Sequence, residues 1–426
     1  MTETQIPQKQ MNSAQKSYTS IQVLSLLLAR ILYSTNWFNI ASVFFLIALD
    51  LKQDISMLGL VTSSFVVGVG LFQVPAGILA AKYGADRTAV FGILLASFCA
   101  LLTGVSGNIP QMAILRFMVG VGMACFFGPS VILISRYLGK RSEGLGIGLI
   151  NSAHAIGGII GIFAWVVLAE LAGWRISLLI GGALGLLTGL VLIISLSRGN
   201  SKTESQDKRS FPLLNDTHVD DTVAKSNSAG LGTNLSGLRQ TIFSKSLIIL
   251  GLTLLSFQAG SSIILTFIVF YLASTLRIDY TIAGFIGSLN LMIVLFFSPI
   301  FGRIYDRTRE AKKILLISGF AAAISIWGIA IPSIYIIIPS MIISAIFLSA
   351  GFVIVYAEAK RSSVVYHLDS HYQTLAVSYV NGISLFGAFW IPILFSFAVD
   401  HFGFALAWFL GGLIVLAFIL PAFKLK

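Results

Sequence analysis

The chain has 426 residues, of which 56% are hydrophobic and only 11% charged, and its formal net charge is +11. Soluble domains average about 25% charged residues, so a water-soluble globule is excluded. A nucleic-acid binder is excluded as well, because the basic residues sit in short segments between apolar runs and form no aromatic-interleaved patch.

Apolar runs of eighteen or more residues recur along the chain, each a membrane-helix candidate. Without water in the bilayer core the backbone must pair within its own segment, which selects helices. No strand-like alternation competes. Residues 1–20 are polar and read as a tail. The run that follows is too long for a secretory signal and lacks a small-residue cleavage site. Six helices are predicted over residues 21–48, 56–81, 88–106, 110–135, 144–171 and 174–196. Residues 198–245, rich in Ser, Thr, Asn, Asp and Lys, are too polar to bury and read as a disordered central loop. Six more helices are predicted over 246–273, 279–302, 313–331, 333–357, 372–398 and 402–422, with a short tail over 423–426. The expected domains are an N-terminal bundle over 21–197 and a C-terminal bundle over 246–422.

With the N-terminus inside, 23 Lys and Arg fall on the inner side and three, Lys52, Arg175 and Arg277, on the outer side. The positive-inside rule then makes both tails and the central loop cytoplasmic, in a plasma or prokaryotic inner membrane. The two cysteines, Cys99 and Cys125, lie inside apolar runs and read as packing residues.

The chain repeats itself at half its length. Pro75-Ala-Gly77-Ile-Leu-Ala-Ala81-Lys82-Tyr-Gly84-Ala-Asp86-Arg87 ends one apolar run, and Ser298-Pro299-Ile-Phe-Gly302-Arg303-Ile-Tyr-Asp306-Arg307 ends another. Asn151, Gly157, Gly173 and Gly181-Gly182 recur as Asn381, Gly387, Gly403 and Gly411-Gly412, all at one offset. Such self-similarity reads as a doubled fold with a site between like halves.

Twelve helices in two halves, a polar inner loop after the sixth, and Gly-rich basic breaks after the second and eighth resemble the major facilitator superfamily. Arg116-Phe-Met-Val-Gly120-Val-Gly122 in the fourth helix is similar to the family's second motif. The resemblance implies an all-α integral membrane fold of two pseudo-symmetric six-helix bundles that rock about a midplane site. It also implies a gating motif, here Gly77, Lys82, Gly84 and Arg87 with Gly302, Asp306 and Arg307. The family usually carries an acid where Ala81 stands. Only the second copy keeps one, as Asp306, so either the C-terminal half carries more of the gate's charge pairing or Asp86 substitutes from the neighbouring turn. The Gly-Pro pair of drug antiporters is absent from the fifth helix, which weighs against that subclass.

The chemistry should lie in polar residues that survive inside the helices. No acid sits mid-helix, but Arg30 and Arg116 do. An intramembrane charge costs at least about 2.5 kcal/mol, so it marks a cavity or a partner. Two buried cations without a buried acid suit an anion, and arginine's planar fork suits a carboxylate or oxyanion. Arg30, Tyr33, Ser34 and Trp37 share one face of the first helix at helical spacing. Arg30 either lines a cavity there or snorkels to the headgroups. Arg116 either meets substrate or ties helix ends together. His154, one turn after Asn151, either carries a proton or packs as a core histidine. Gln258, Asn290 and Asn381 are substrate-binding candidates from the other half, or else interhelical glue.

The expectation is a secondary transporter of a small organic or inorganic anion, working by alternating access with proton coupling or exchange. The alternatives are an exporter of amphipathic drugs or carrier of neutral solutes in the same fold, and a non-transporting membrane sensor or scaffold. No enzyme is expected: Gly104-Val-Ser106-Gly107 resembles the serine motif of rhomboid proteases but lacks a supporting second motif. No HExxH pair, Walker loop or Cys/His cluster occurs. No cofactor and no metal are expected, and the partners are a small-molecule substrate, a coupling proton and the bilayer around a monomer.

Overall fold

The computed structural model describes residues 8–138, 143–210, 243–362 and 370–425, and these form helices with no strand among them. In chain order they are α1 (Gln8–Ser42), α2 (Phe44–Leu51), α3 (Ile55–Tyr83), α4 (Ala85–Gly104), α5 (Ile109–Leu138) and α6 (Glu143–Ile159). A π-helical turn (Ile160–Ala164), α7 (Trp165–Ala172) and α8 (Trp174–Ser210) complete the first half. The second half holds α9 (Lys245–Ser274), α10 (Tyr280–Thr308), α11 (Ala311–Ile329), α12 (Ile334–Arg361), α13 (Ser370–Ala388) and α14 (Ile391–Ile419).

Ten of these segments are long and apolar enough to cross a membrane, and the α1–α2 pair, bent by 47°, makes an eleventh. The last segment, Tyr379–Lys424, has 46 residues. At 1.5 Å per residue that is about 70 Å, more than twice the bilayer core. It breaks at Gly403, whose φ of +80° is non-helical, so the described residues make twelve spans. The break falls at Gly403 rather than at residues 399–401, because glycine alone adopts this conformation without strain. Two other expectations are corrected. Helix α1 starts at Gln8, inside the predicted tail, and α8 runs on to Ser210, inside the predicted loop. Lys, Gln and Glu are good helix formers, and extending a helix already nucleated by an apolar span costs little. The rest of that loop, residues 211–242, lies outside the described residues.

The halves repeat in three dimensions. Gly173 and Gly403 both hold positive φ, at 85° and 80°, in corresponding turns. A Cβ on Gly182 would strike the Leu101 backbone of α4 at 2.4 Å, and one on Gly412 would strike Trp327 of α11 at 2.3 Å. The same glycine thus lets the last helix of each half lie against the third.

The bend after Ser42 has a local cause. The Ser42 hydroxyl donates to the Asn39 and Gly161 carbonyls, while its own carbonyl accepts from the Tyr280 hydroxyl of α10. Serine side chains that bond back to the helix bend it, and here the freed carbonyl joins the two halves. Two more bonds cross at this end. The Thr281 hydroxyl donates to the Glu170 carboxylate, and the Ser56 N–H donates to Asp400 Oδ2 at 2.7 Å. One buried apolar cluster runs through both halves here, from Phe44, Ile47 and Leu58 to Phe267, Tyr271 and Trp408. At the other end the ion pairs among the described residues stay within one half.

Asp400 caps α3 from the opposite half, because the cap residue Asp54 makes no side-chain cap of its own. A helix cap is worth about 0.5–2 kcal/mol. Asp400→Ala is therefore expected to shift the conformational equilibrium about 3- to 30-fold toward opening at this end. Spin labels on the exposed Met57 and Phe402 would report it as a longer distance distribution; an unchanged distribution rules the cap out as a latch.

Candidate functional site

The stripe predicted on the first helix is buried. Arg30 is 5% exposed and Tyr33 2%, and Trp37 is half-buried. The Arg30 guanidinium carbon lies 4.3 Å from the Tyr33 ring centre and 4.8 Å from that of Phe127 on α5. Its Nε and Nη1 are buried without a hydrogen-bond partner. Cation–π contacts occupy the guanidinium's faces and offset part of its desolvation, at about 1–2 kcal/mol each. They leave the N–H groups, which lie in the plane, still to be satisfied.

His154 sits across the Tyr33 ring, with ring centres 6.4 Å apart. Trp37 lies edge-on to it at 6.3 Å and Phe38 at 5.7 Å. Its Nδ1 is buried and unpartnered. Phe65 packs edge-on against Trp37 at 4.6 Å, and Phe126 lies 5.6 Å from Tyr33. The result is an aromatic cluster that holds a guanidinium and an imidazole. The structure brings Arg30, Tyr33 and Trp37 of α1 together with His154 of α6. The phenylalanines were not legible, because 32 of them are spread along the chain; the Phe126-Phe127 pair one turn below the glycines of α5 was the available signal.

Ser34 serves the contact between helices instead. Its hydroxyl donates to the His154 carbonyl at 2.6 Å. Thr35 does the same to the Gly157 carbonyl at 3.0 Å. These bonds clamp α1 to α6 and divert helix carbonyls just before the π-helical turn. Asn151, one turn before His154, is exposed.

Arg116 lies outside this cluster. Fully buried, it donates from Nη1 to the Asn36 carbonyl at 2.9 Å and from Nη2 to Asn39 Oδ1 at 3.1 Å. Asn39 donates to Asn36, which donates to the Gly181 carbonyl of α8. The network ties α5, α1 and α8 together. Interhelical hydrogen bonds in membranes are worth about 0.6–1.7 kcal/mol each. Arg116→Met is expected to cost roughly 1–3 kcal/mol, read as earlier thermal unfolding in detergent; equal stability would make the network incidental.

From the second half, Asn290 is 2% exposed with its Nδ2 unpartnered. The next residue, Leu291, packs where a Cβ on Gly158 would stand, beside Phe38. Asn381 accepts from the Tyr356 hydroxyl at 2.8 Å, and Gln258 is half-buried on α9.

The basic breaks are exposed. The Lys82 ammonium lies 5.1 Å from the Tyr83 ring centre, Gly84 holds φ +93°, and Gly77, Arg87 and Arg307 face outward. Gly302 is half-buried. Among the described residues, Asp86 reaches Arg136 of α5 at 3.3 Å and Asp306 reaches Arg309 in its own turn at 3.7 Å. One position into the following helix, Asp86 faces α5 and takes the missing acid's place. The second half is tied instead through the Tyr305 hydroxyl and Glu358.

The comparisons agree on the family. A family model described as Major Facilitator Superfamily matches residues 26–359. A 148-residue stretch is 31% identical to the benzoate transport protein of Acinetobacter baylyi, covering 32% of this chain and 31% of that one. Another of 147 residues is 30% identical to the 4-hydroxybenzoate transporter PcaK of Pseudomonas aeruginosa, covering 34% and 33%. A third is 28% identical over 141 residues to the probable sulfoacetate transporter SauU of Cupriavidus necator, covering 33% of each. The matched stretch thus spans about a third of the length of these relatives. Among solved structures, a bacterial homolog of the human lysosomal transporter Spinster, inward-facing and occupied, superposes with a TM-score of 0.70 at 16% identity, covering 95% of each chain. The xylose transporter XylE from E. coli gives 0.69 at 13% identity, covering 96% and 99%.

Proposed function

Because the chain belongs to the major facilitator superfamily, we propose that it moves a small organic anion, foremost an aromatic monocarboxylate, across a membrane by alternating access. The observation that carries this reading is the unsatisfied Arg30 guanidinium, stacked between Tyr33 and Phe127 with Nε and Nη1 unpartnered. A carboxylate in the guanidinium plane would accept from Nη1 and, along the same edge, from Nη2, and that bidentate geometry adds specificity. An aromatic ring behind it would meet Trp37, Phe38 and Phe65, which prefer offset or edge-on ring contacts. Two relatives named for the transport of benzoate and 4-hydroxybenzoate support the same chemistry.

In this reading the latch of Ser42, Ser56, Glu170, Tyr280, Thr281 and Asp400 closes one end while substrate reaches Arg30 from the other. The latched end is the outer one, both termini are cytoplasmic, and the halves over 21–197 and 246–422 rock as units in a cell membrane. Transport is secondary, coupled to a proton or to exchange, by a monomer and without a chemical step on the substrate.

The test is a thermal-stability screen of the detergent-purified protein with benzoate, 4-hydroxybenzoate, sulfate, phosphate, quaternary ammonium ions and xylose. A ligand that binds only the folded state raises stability by mass action. Stabilisation by the two aromatic carboxylates is expected. Stabilisation by cations or sugar alone refutes the anion reading.

A further inference from the structure

We propose that His154 Nδ1 binds a proton together with the anion, so that the site takes up a carboxylate and a proton as a linked pair. The proposal rests on the anion reading above and adds where the accompanying charge resides.

Membrane carriers that bind protons need a titratable group near the substrate. Here the acids of the described residues lie outside the apolar spans or near their ends: Asp50, Asp54, Asp86, Glu143, Glu170, Glu204, Asp207, Asp279, Asp306, Glu310, Glu358 and Asp400. His154 lies inside the Leu149–Ala172 span instead, half-buried, with its ring against Tyr33, Trp37 and Phe38 and its Nδ1 buried and unpartnered. The Ser34 bond to its carbonyl fixes this turn of α6 against α1. Imidazole is the side chain whose ordinary titration range spans neutrality.

The groups facing it from neighbouring elements are few. From α1 come Arg30 and Tyr33; Arg30 is within electrostatic reach and shares the Tyr33 ring. On α5, Arg116 is bonded to α1 and Arg136 is paired with Asp86. On α10, Tyr280 lies at one end, and Arg303, Asp306 and Arg307 lie at the other. Glu143 begins α6 itself. None of these supplies a carboxylate to the cluster. In the empty site a proton on His154 would add a second cation beside Arg30 in an apolar cage, where like charges repel strongly. A carboxylate on Arg30 cancels that repulsion. Linkage requires the converse: the proton strengthens anion binding by the same factor. The proton comes from solvent and the cargo is a neutral pair.

The experiment is calorimetric titration of the purified protein with sodium benzoate near neutral pH, in two buffers of different ionisation enthalpy. Benzoate is fully ionised there, so any proton taken up goes to the protein. The wild type is expected to take up about one proton per benzoate, and its affinity to fall about tenfold per pH unit above the imidazole range. His154→Gln is expected to bind more weakly, take up no proton and lose the pH dependence. Wild-type heats that do not depend on the buffer overturn the proposal whatever the variant does, and so does a His154→Gln protein that still takes up the proton. Absence of benzoate binding to the wild type overturns the anion reading itself, and with it the linked pair.

Discussion

Arg30→Gln should abolish the benzoate response while leaving the unliganded protein as stable as the wild type. A charge-assisted hydrogen bond is worth about 1.5–3 kcal/mol, and two are at stake. Glutamine can return one neutral bond of about 1 kcal/mol, which leaves a net loss of roughly 2–5 kcal/mol. That converts to a dissociation constant about 30- to 4,000-fold higher. Stability should not fall, because the substitution removes a buried charge whose Nε and Nη1 have no partner. The lost stacking on Tyr33 and Phe127 offsets that gain. Arg30→Lys keeps the charge but not the planar fork, and an intermediate loss of about tenfold is expected. Titration of thermal stability with benzoate checks all three proteins. A glutamine variant that binds benzoate within about threefold of wild type would return Arg30 to the headgroup role that the sequence left open.

The fold was legible because membrane helices are written in composition. Runs of the right length, the 225-residue echo from Gly77 to Gly302 and the one-sided distribution of Lys and Arg each point to the same twelve spans. What escaped is what composition does not encode. The exact place of the break, at Gly403 just after Asp400 and His401, and the bend after Ser42 are set by one glycine torsion and by a hydroxyl from another helix. The site divides the same way. Arg30, Tyr33, Trp37 and His154 were readable because polar residues stand out in an apolar helix. The two arginines look alike in sequence, and only packing separates them: Arg116 is engaged by Asn36 and Asn39, while Arg30 lies against the Tyr33 and Phe127 rings with Nε and Nη1 unpartnered. At the gate, the acid missing at Ala81 has an alternative in Asp86 of the neighbouring turn, which makes the contact to Arg136.

The second large effect is expected at Gly157, where function and stability meet. A Cβ there would stand 2.1 Å from the Ile31 carbonyl oxygen and 2.8 Å from Ser34 Cβ, and one at Gly161 would stand 2.6 Å from the Thr35 carbonyl oxygen. The nearest obstacle is helix backbone, which cannot rotate aside. Gly157→Val therefore has to push α6 off α1 by about an ångström or more. That would break the Ser34 and Thr35 bonds and weaken the Ser42 bond to Gly161. Overpacking costs about 1–3 kcal/mol, and the bonds are worth about 0.6–1.7 kcal/mol each, so a total near 3–5 kcal/mol is expected. The displaced helix is the one that carries His154, so benzoate binding should fall with stability. Two controls separate backbone contact from glycine content. Gly387, the repeat partner, would meet the flexible Leu255 side chain at 2.7 Å, and Gly382 would meet nothing within 4 Å. Gly387→Ala should cost far less than Gly157→Val. Gly382→Ala should gain about 0.5–1 kcal/mol, because alanine loses less entropy in a helix. Thermal unfolding of the three variants in one detergent gives the order directly. If Gly157→Val unfolds with the wild type, α1 and α6 are not in backbone contact, and the clamp that positions His154 beside Tyr33 does not exist.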